Sequence, residues 1–453
     1  MDLLPKSETA TRLAGIQRWM QAASVDAVFV FQNVDLYYFA GTVQSGLLCL
    51  PAAGEPIYLV QKSLRRAQTE STWDRIIPFP GFKKLPNCLT DEGFTGLRRV
   101  GIEMDVLPTS YYLKLSEIFP RTEFIDASDA IRRVRMVKSA HEVGQIRQAA
   151  RMLRLAFERL PEWIRPGVSE LAVMAQIEGF LRSQGHQGLI RMRGFNSQMG
   201  CGTLSAGASA AYPTSIPGPV GFTGLYPAVP IGGGEHILAP GETLIADIVA
   251  GYGGYIADKT RTYALERVDS DQADAHRYTI NLTREIEAML KPGSLCSQIY
   301  QNVIERVKES PYAAGFMGLG DSQVRFVGHG VGLELDELPV LAAGFDIPLE
   351  PGMTIAVEPK MFFPDRGGVG IENTYVITES GFENLTVFPE EIMIIPCPGA
   401  KGSRGSPFAP RVWEKTHSQA LRHGKGGKTH DGRVQNAADR ADSQPISGNF
   451  ADP

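Results

Sequence analysis

The chain has 453 residues, of which 43% are hydrophobic and 21% are charged, and its formal net charge is −5. This length exceeds that of one ordinary core and predicts at least two domains, while the net charge gives no reason to expect nucleic acid or an anionic membrane as a partner. The longest apolar runs, such as 46–53, are far too short to span a membrane, and the N-terminus lacks the pattern of a secretory signal. Five scattered cysteines without CxxC spacing predict reduced thiols and a cytoplasmic location.

The first part of the chain alternates helix and strand patterns. The predicted elements, in order, are helix 8–23, strands 26–31, 46–50, 56–60 and 100–102, helix 108–118 and strand 122–125. This alternation predicts an α/β domain over residues 1–135. We find no catalytic constellation in it.

The second part, 136–396, reads as an α+β domain. Its first helix, from Ser139 to about residue 160, opens with a capping box, because Glu142 follows Ser139 at the required spacing. Further helices are predicted at 169–185 and about 269–290. The Gly-, Pro-, Ser- and Ala-rich region 194–234 is predicted to be a loop that lines a functional site.

The last segment, 397–453, loses almost all of its apolar residues. Such a composition cannot bury enough surface to offset the entropy of ordering, so we predict a disordered tail. We interpret its three histidines as part of this solvated segment.

Chemistry-bearing residues recur at the ends of predicted strands in the second part. Two aspartates lie eleven residues apart on strands joined by a glycine-rich turn, and a histidine and two glutamates follow. Burying carboxylates is costly without compensating cations, and this set of hard oxygen and nitrogen donors suits divalent Mn, Co, Fe or Zn. The residues are Asp247, Asp258, His329, Glu358 and Glu372.

In order and surroundings these residues resemble the pita-bread metallohydrolases, the aminopeptidase P, prolidase and creatinase family. Neighbouring segments match as well, including Thr260-Arg-Thr262, Gly328-His-Gly330 and Glu358-Pro359. The segment 135–142, Arg-Met-Val-Lys-Ser-Ala-His-Glu, resembles the usual boundary between the two domains of this family. The resemblance therefore implies a creatinase-type N-terminal α/β domain followed by an α+β pita-bread catalytic domain.

The resemblance also implies roles for the five residues. Asp258 and Glu372 would bridge two divalent ions, Asp247 would complete one of them, and His329 and Glu358 would complete the other. Paired cations lower the pKa of a shared water, and Glu358 is placed to act as a general base, so the catalytic candidates are Glu358 and His329. Homodimerisation is common among such two-domain relatives.

Three departures fall on groups that bind substrate in the family. The segment that normally precedes an upstream His is followed here by Thr214, whereas counting back by distance from the first Asp reaches Pro230. His236 lies nearby but out of register. Asp336 stands where a second His is expected, and Gly370 stands where an Arg is often found. We therefore take Asp336, His236 and Thr214 as candidate substrate-binding residues, and expect Asp336 to favour a cationic or amine-bearing substrate.

The sequence thus predicts a dinuclear metal-dependent hydrolase acting on a small peptide or amide bond, with Xaa-Pro peptides as the default substrate. One alternative is a metal-dependent lyase or a non-peptide C–N hydrolase on the same fold, acting on a small zwitterion. A non-catalytic binding protein is disfavoured, because a scaffold has no need to retain five buried ligands.

Overall fold

A computed structural model of the protein describes residues 3–214, 216 and 218–397. The segment 397–453, apart from Cys397, lies outside the described residues, so the disordered tail stays a prediction. The domain boundaries at 135 and 396 also stay predictions.

The first part of the chain builds a six-stranded mixed sheet, in the order β4-β3-β2-β1-β5-β6. β1 lies in the interior, antiparallel to β2 and parallel to β5. Its residues alternate between two cores, with Val28 and Val30 on one face and Ala27 and Phe29 on the other. The strands are β1 (Ala27–Val30), β2 (Gly46–Pro51), β3 (Ile57–Val60), β4 (Ile76–Pro78), β5 (Arg99–Ile102) and β6 (Glu123–Asp126).

Helices cover both faces of this sheet, which explains why the interior strands β1 and β3 are buried along their whole length. The long predicted helices 8–23 and 108–118 are confirmed within two residues, and several shorter helices were not predicted. The helices are α1 (Lys6–Ala23), α2 (Asn33–Ala40), α3 (Leu64–Glu70), α4 (Leu85–Asp91), α5 (Thr109–Ile118) and α6 (Ser128–Met136).

Two helices open the second part, α7 (Ala140–Trp163) and α8 (Glu170–Ser183). The predicted capping box is confirmed: the Ser139 hydroxyl accepts from the Glu142 backbone N–H at 3.2 Å, and the Glu142 carboxylate accepts from the Ser139 N–H at 2.8 Å. α7 packs against the β8–β9 hairpin described next and so supports the strands that carry the two aspartates.

The second part contains a four-stranded sheet, a five-stranded sheet and a two-stranded ribbon. Their strand orders are β17-β9-β8-β7, β11-β10-β12-β15-β16 and β13-β14. The strands are β7 (Gly202–Ala206), β8 (Thr243–Tyr252), β9 (Tyr255–Leu265), β10 (Phe326–Gly330), β11 (Glu337–Ala342), β12 (Thr354–Val357), β13 (Lys360–Phe363), β14 (Gly367–Gly370), β15 (Asn373–Thr378), β16 (Gly381–Asn384) and β17 (Met393–Ile395).

The prediction of a loop over 194–234 is wrong at β7, which pairs antiparallel with β8. This strand begins at Gly202, where an added Cβ would lie 2.1 Å from the Asp247 carbonyl oxygen. A strand of such small residues carries little hydrophobic pattern, so its sequence does not distinguish it from a loop.

Helices α9 (Ser270–Glu287) and α10 (Cys296–Lys308) complete the second part. They share a hydrophobic core with β10, β12 and β15, to which Ile286, Val303 and Ile355 belong. The helix predicted at about 269–290 is confirmed as α9. This core packs α9 and α10 against the five-stranded sheet. Three of the candidate metal ligands lie on or next to strands of that sheet.

Candidate metal centre

The β8–β9 hairpin brings the two aspartates to one face. Gly253 and Gly254, both with positive φ, form the two-residue turn that such hairpins favour. Asp247 is paired with Thr260, and Asp258 lies two residues from Thr260 on the same strand. Because alternate residues of a strand share a face, the two aspartates are diagonal neighbours, as the spacing predicted.

The other three candidate metal ligands lie on or next to strands of the five-stranded sheet. His329 lies on β10, Glu358 directly follows β12, and Glu372 directly precedes β15. β12 and β15 are antiparallel neighbours, so the end of one and the start of the other lie at the same sheet edge. The Glu372 backbone N–H donates to the Thr260 carbonyl at 3.1 Å, which joins this edge to the hairpin.

The side chains converge in two overlapping groups. Ligand atoms of Asp258, His329 and Glu372 lie within 4.8 Å of one another, and so do those of Asp247, Glu358 and Glu372. Asp247 is half-buried, and the other four side chains are buried. The structure thus brings all five predicted residues together, with Glu372 common to both groups.

Hydrogen bonds orient these side chains. His329 Nδ1 lies 3.0 Å from the Leu335 carbonyl oxygen and 3.1 Å from that of Gly330, so this nitrogen carries the proton and donates. Nε2 is then left with its lone pair facing the carboxylates, 3.6 Å from Glu358 Oε1. Such an arrangement is typical of histidines that bind metals.

The electrostatics of the centre call for added positive charge. Burial raises the pKa of Asp258 well above its usual range, and the neighbouring Glu372, Asp247 and Glu358 raise it further. Burial likewise raises the pKa of Asp247, to about 6, although Lys360 opposes this. Because clustered carboxylates resist ionisation without cations, this donor set fits divalent metal ions.

One oxygen gives a second test of this fit. Glu372 Oε1 is buried and has no hydrogen-bond partner among the described residues. A buried carboxylate oxygen without a partner is costly, and a bound cation would satisfy it.

Lys360 was not predicted to belong to the site. Its side chain is fully buried, and its ammonium donates to Glu358 Oε2 at 2.5 Å and to Glu372 Oε2 at 2.9 Å. The available sequence signal was a lysine that begins an apolar strand, Lys-Met-Phe-Phe, two residues after a candidate ligand. A lysine in such a strand needs a buried anionic partner.

A cavity opens above the centre. Apolar side chains such as Met192, Val220, Phe222 and Leu335 line it together with the carboxylates and Asp336. Within the part of the chain that the structure describes, no lysine or arginine lines this cavity.

The three candidate substrate-binding residues lie at different places. Asp336 lines the cavity, with Oδ1 3.7 Å from His329 Nδ1. Thr214 lines a smaller adjoining cavity, and its hydroxyl donates to the Pro230 carbonyl at 3.2 Å. His236 instead faces Glu242, with Nε2 2.9 Å from its carboxylate, and does not line the main cavity.

Comparison with known families identifies the chain. Residues 144–379, more than half of the chain, match the model of Metallopeptidase family M24. The chain belongs to metallopeptidase family M24. Residues 12–137 match the Creatinase/Prolidase N-terminal domain. The resemblance found in the sequence is therefore confirmed, together with the fold class of a creatinase-type α/β domain followed by a pita-bread catalytic domain.

Individual relatives agree with membership of the M24 family. The uncharacterized peptidase YqhT of Bacillus subtilis is 26% identical over 373 residues, which are 82% of this chain and 96% of the relative. The Xaa-Pro dipeptidase of Pyrococcus furiosus is 26% identical over 384 residues, with 84% and 99% covered. The solved structure of an Xaa-Pro dipeptidase from Bacillus anthracis has a TM-score of 0.72 at 24% identity, covering 85% of this chain and 99% of that chain.

The M24 chain is a metallohydrolase, and its family implies divalent metal ions as cofactors and peptides as substrates. Within the described residues, none of the helices combines the length and the apolar character needed to cross a bilayer.

Proposed function

We propose that this protein hydrolyses a peptide or small amide bond with the help of divalent metal ions, and that Xaa-Pro peptides are the first substrates to test. The observation that carries the proposal is the convergence of five metal-ligating side chains in two overlapping groups around Glu372. Relatives described as Xaa-Pro dipeptidases support the substrate class.

The proposed ligands are Asp247, Asp258, His329, Glu358 and Glu372, and the family resemblance implies two ions of the Mn, Co, Fe or Zn kind. When bound, such ions lower the pKa of a water molecule so that hydroxide is available at neutral pH, and they polarise a carbonyl.

Glu358 is proposed to take up a proton from the attacking water and to return it to the leaving amine. Its Oε2 is held by Lys360 at 2.5 Å, while Oε1 faces His329 Nε2 at 3.6 Å. This fixed orientation leaves one oxygen directed towards the centre, as a general base requires. The hydrogen bond from His329 Nδ1 to the Leu335 carbonyl leaves Nε2 facing the centre.

The cavity indicates which substrates the centre accepts. Its apolar walls would bind an apolar side chain, and the lack of lysine and arginine among its described lining residues offers no partner to a substrate carboxylate. Asp336 would instead attract an amine. We therefore propose that longer Xaa-Pro peptides and amine-bearing amides are cleaved better than free Xaa-Pro dipeptides.

We also propose Thr214 as a substrate-binding residue, in the smaller cavity that adjoins the main one. His236 has weaker support, because its ring already faces the Glu242 carboxylate. The Asp336→Asn variant tests the amine preference. We expect it to raise KM for amine-bearing substrates more than for N-acylated analogues, whereas equal effects on both would contradict the assignment.

The main test combines metal content with hydrolysis. The purified protein is stripped of metal, reloaded with Mn²⁺, Co²⁺, Fe²⁺ or Zn²⁺, and assayed on Xaa-Pro dipeptides, longer Xaa-Pro peptides and small N-substituted amino acids. We expect bound metal and product release, both lost in Asp258→Asn. The control is Asp269→Asn, which changes an exposed aspartate paired with Arg366. A protein that binds no metal at saturating concentrations would refute the proposal.

A lyase on the same fold remains the second candidate, supported by the replacement of the expected histidine and arginine by Asp336 and Gly370. A lyase would remove a proton next to a carboxylate and consume no water. Running the reaction in water enriched in oxygen-18 distinguishes a hydrolase from a lyase, since only a hydrolase places the label in its product.

A homodimeric assembly and a cytoplasmic location complete the proposal. The first is supported by the resemblance to two-domain relatives, and the second by five free cysteines. Light scattering on the purified protein measures the first, and fractionation of the source cells measures the second.

A further inference from the structure

Lys360 places a fixed positive charge inside the candidate metal centre. Its ammonium lies 2.5 Å from Glu358 Oε2, 2.9 Å from Glu372 Oε2 and 3.5 Å from Asp247 Oδ2. These are the same three carboxylates that form one of the two candidate metal groups. The ammonium therefore occupies the position between these three carboxylates that an ion bound by this group would need.

The remaining ligand atoms define one further cation position. Glu372 Oε2 accepts from Lys360 and from the Thr260 hydroxyl, whereas Glu372 Oε1 is buried and without a partner among the described residues. Glu358 is divided in the same way, with Oε2 on Lys360 and Oε1 towards His329. Glu372 thus gives one oxygen to the ammonium and keeps the other for an ion near Asp258 and His329, and Glu358 Oε1 lies beside that position.

The stem of Lys360 lies directly against the neighbouring strand. Lys360 pairs with Gly370 across the β13–β14 ribbon. A Cβ added at Gly370 would lie 2.6 Å from Lys360 Cγ and 2.8 Å from Lys360 Cα. The stem of the lysine therefore fills the space that a side chain at 370 would take, which is the position where the family often has an arginine. Here the positive charge comes from the opposite strand.

We propose that the Lys360 ammonium serves as the second cation of this centre, so that the protein binds a single divalent ion, at Asp258, His329 and Glu372. The inference rests on the proposed function in one respect, namely that the centre binds metal at all. It replaces the second ion of the sequence-based prediction by a group of the chain itself. Asp247 then serves to hold the ammonium rather than an ion.

The test is the number of ions bound per chain. Metal-stripped protein is titrated with Mn²⁺, and the stoichiometry is measured by calorimetry and by native mass spectrometry. We expect one ion in the wild type and two in Lys360→Met, which keeps an unbranched side chain and lacks the terminal ammonium. Electron paramagnetic resonance gives an independent readout, because two Mn²⁺ ions that share Glu372 are exchange-coupled and a single ion is not.

Lys259→Met is the matched control. Lys259 is also buried, but its ammonium nitrogen donates to the Thr386 carbonyl at 2.6 Å, away from the carboxylates. We expect this variant to bind one ion, like the wild type.

Two ions in the wild type would overturn the inference while leaving the proposed function intact. A single ion in a folded Lys360→Met variant would also overturn it, since the lysine would then not be what excludes the second ion. No ion in the wild type would refute both proposals. If Lys360→Met does not fold, the stoichiometry and the resonance spectrum of the wild type still decide.

Discussion

Replacing Arg135 by methionine tests the buried ion network that links the two parts of the chain. The Arg135 guanidinium contacts Glu337 at 2.5 Å, Asp35 at 2.7 Å and Glu334 at 2.8 Å. All four side chains are at most 6% exposed. Arg135 and Lys138 are the first and fourth residues of the boundary motif at 135–142, and both pair with Glu337.

The expected cost follows from what Arg135→Met leaves behind. Although burial opposes ionisation, Arg135 and Lys138 hold the pKa of Glu337 at about 2. Without Arg135, Glu337 keeps Lys138, and Asp35 keeps Arg193 at 2.9 Å. Removing one partner of a buried ion pair costs about 3–5 kcal/mol, and we expect a loss of this size because three carboxylates share the guanidinium.

Urea unfolding, followed by fluorescence and by far-UV circular dichroism, measures the change in the free energy of unfolding. The control is Arg133→Met, where an arginine with a 54% exposed side chain pairs with Asp129, and where about 0.5 kcal/mol is expected. The double variant Arg135→Met, Glu337→Gln should lose less than the sum of its single variants, because it removes a charge that Arg135→Met leaves poorly paired. A loss below about 1 kcal/mol in Arg135→Met would refute the reasoning.

Three further predictions concern single positions. Burial lowers the pKa of His276 from 6.5 to about 4, so the unfolded chain binds more protons than the folded chain between these pH values. The free energy of unfolding should therefore fall by up to about 3 kcal/mol as the pH falls from 6.5 to 4. His276→Gln should reduce this pH dependence in urea titrations, and an unchanged dependence would contradict the assignment. Gly370→Ala would place a Cβ against the backbone of Lys360 and should cost about 1–3 kcal/mol in thermal unfolding, whereas Gly381→Ala, with no atom within 4 Å, should change little. Asp258→Asn removes one of four neighbouring carboxylates, so it should stabilise the metal-free protein by about 1 kcal/mol. The variant should also lose the stabilisation that added Mn²⁺ gives the wild type. A metal-free variant less stable than the wild type would contradict the idea that repulsion between these carboxylates destabilises the metal-free protein.

The sequence predicted those elements whose pattern is long or whose end is marked. α7 begins at a capping box that a four-residue motif specifies, and α1 and α9 are long enough to show an amphipathic pattern. Short helices such as α2 (Asn33–Ala40) carry too few residues for a period to be distinguished from a buried strand. β7 was missed for a related reason, since Leu204 is its one large apolar residue and its first residue, Gly202, packs closely against β8.

The sequence alone predicted the five candidate metal ligands, because each residue is a hard donor near a strand end and their order carries the family resemblance. The carboxylate partners of Lys360 could be identified only from the tertiary structure. A lysine in an apolar strand has no assigned partner in the sequence, and the three carboxylates that surround it come from the end of β12, the start of β15 and the middle of β8. The number of cation positions left for metal depends on that convergence, which arises only when the two sheets are joined at Thr260 and Glu372.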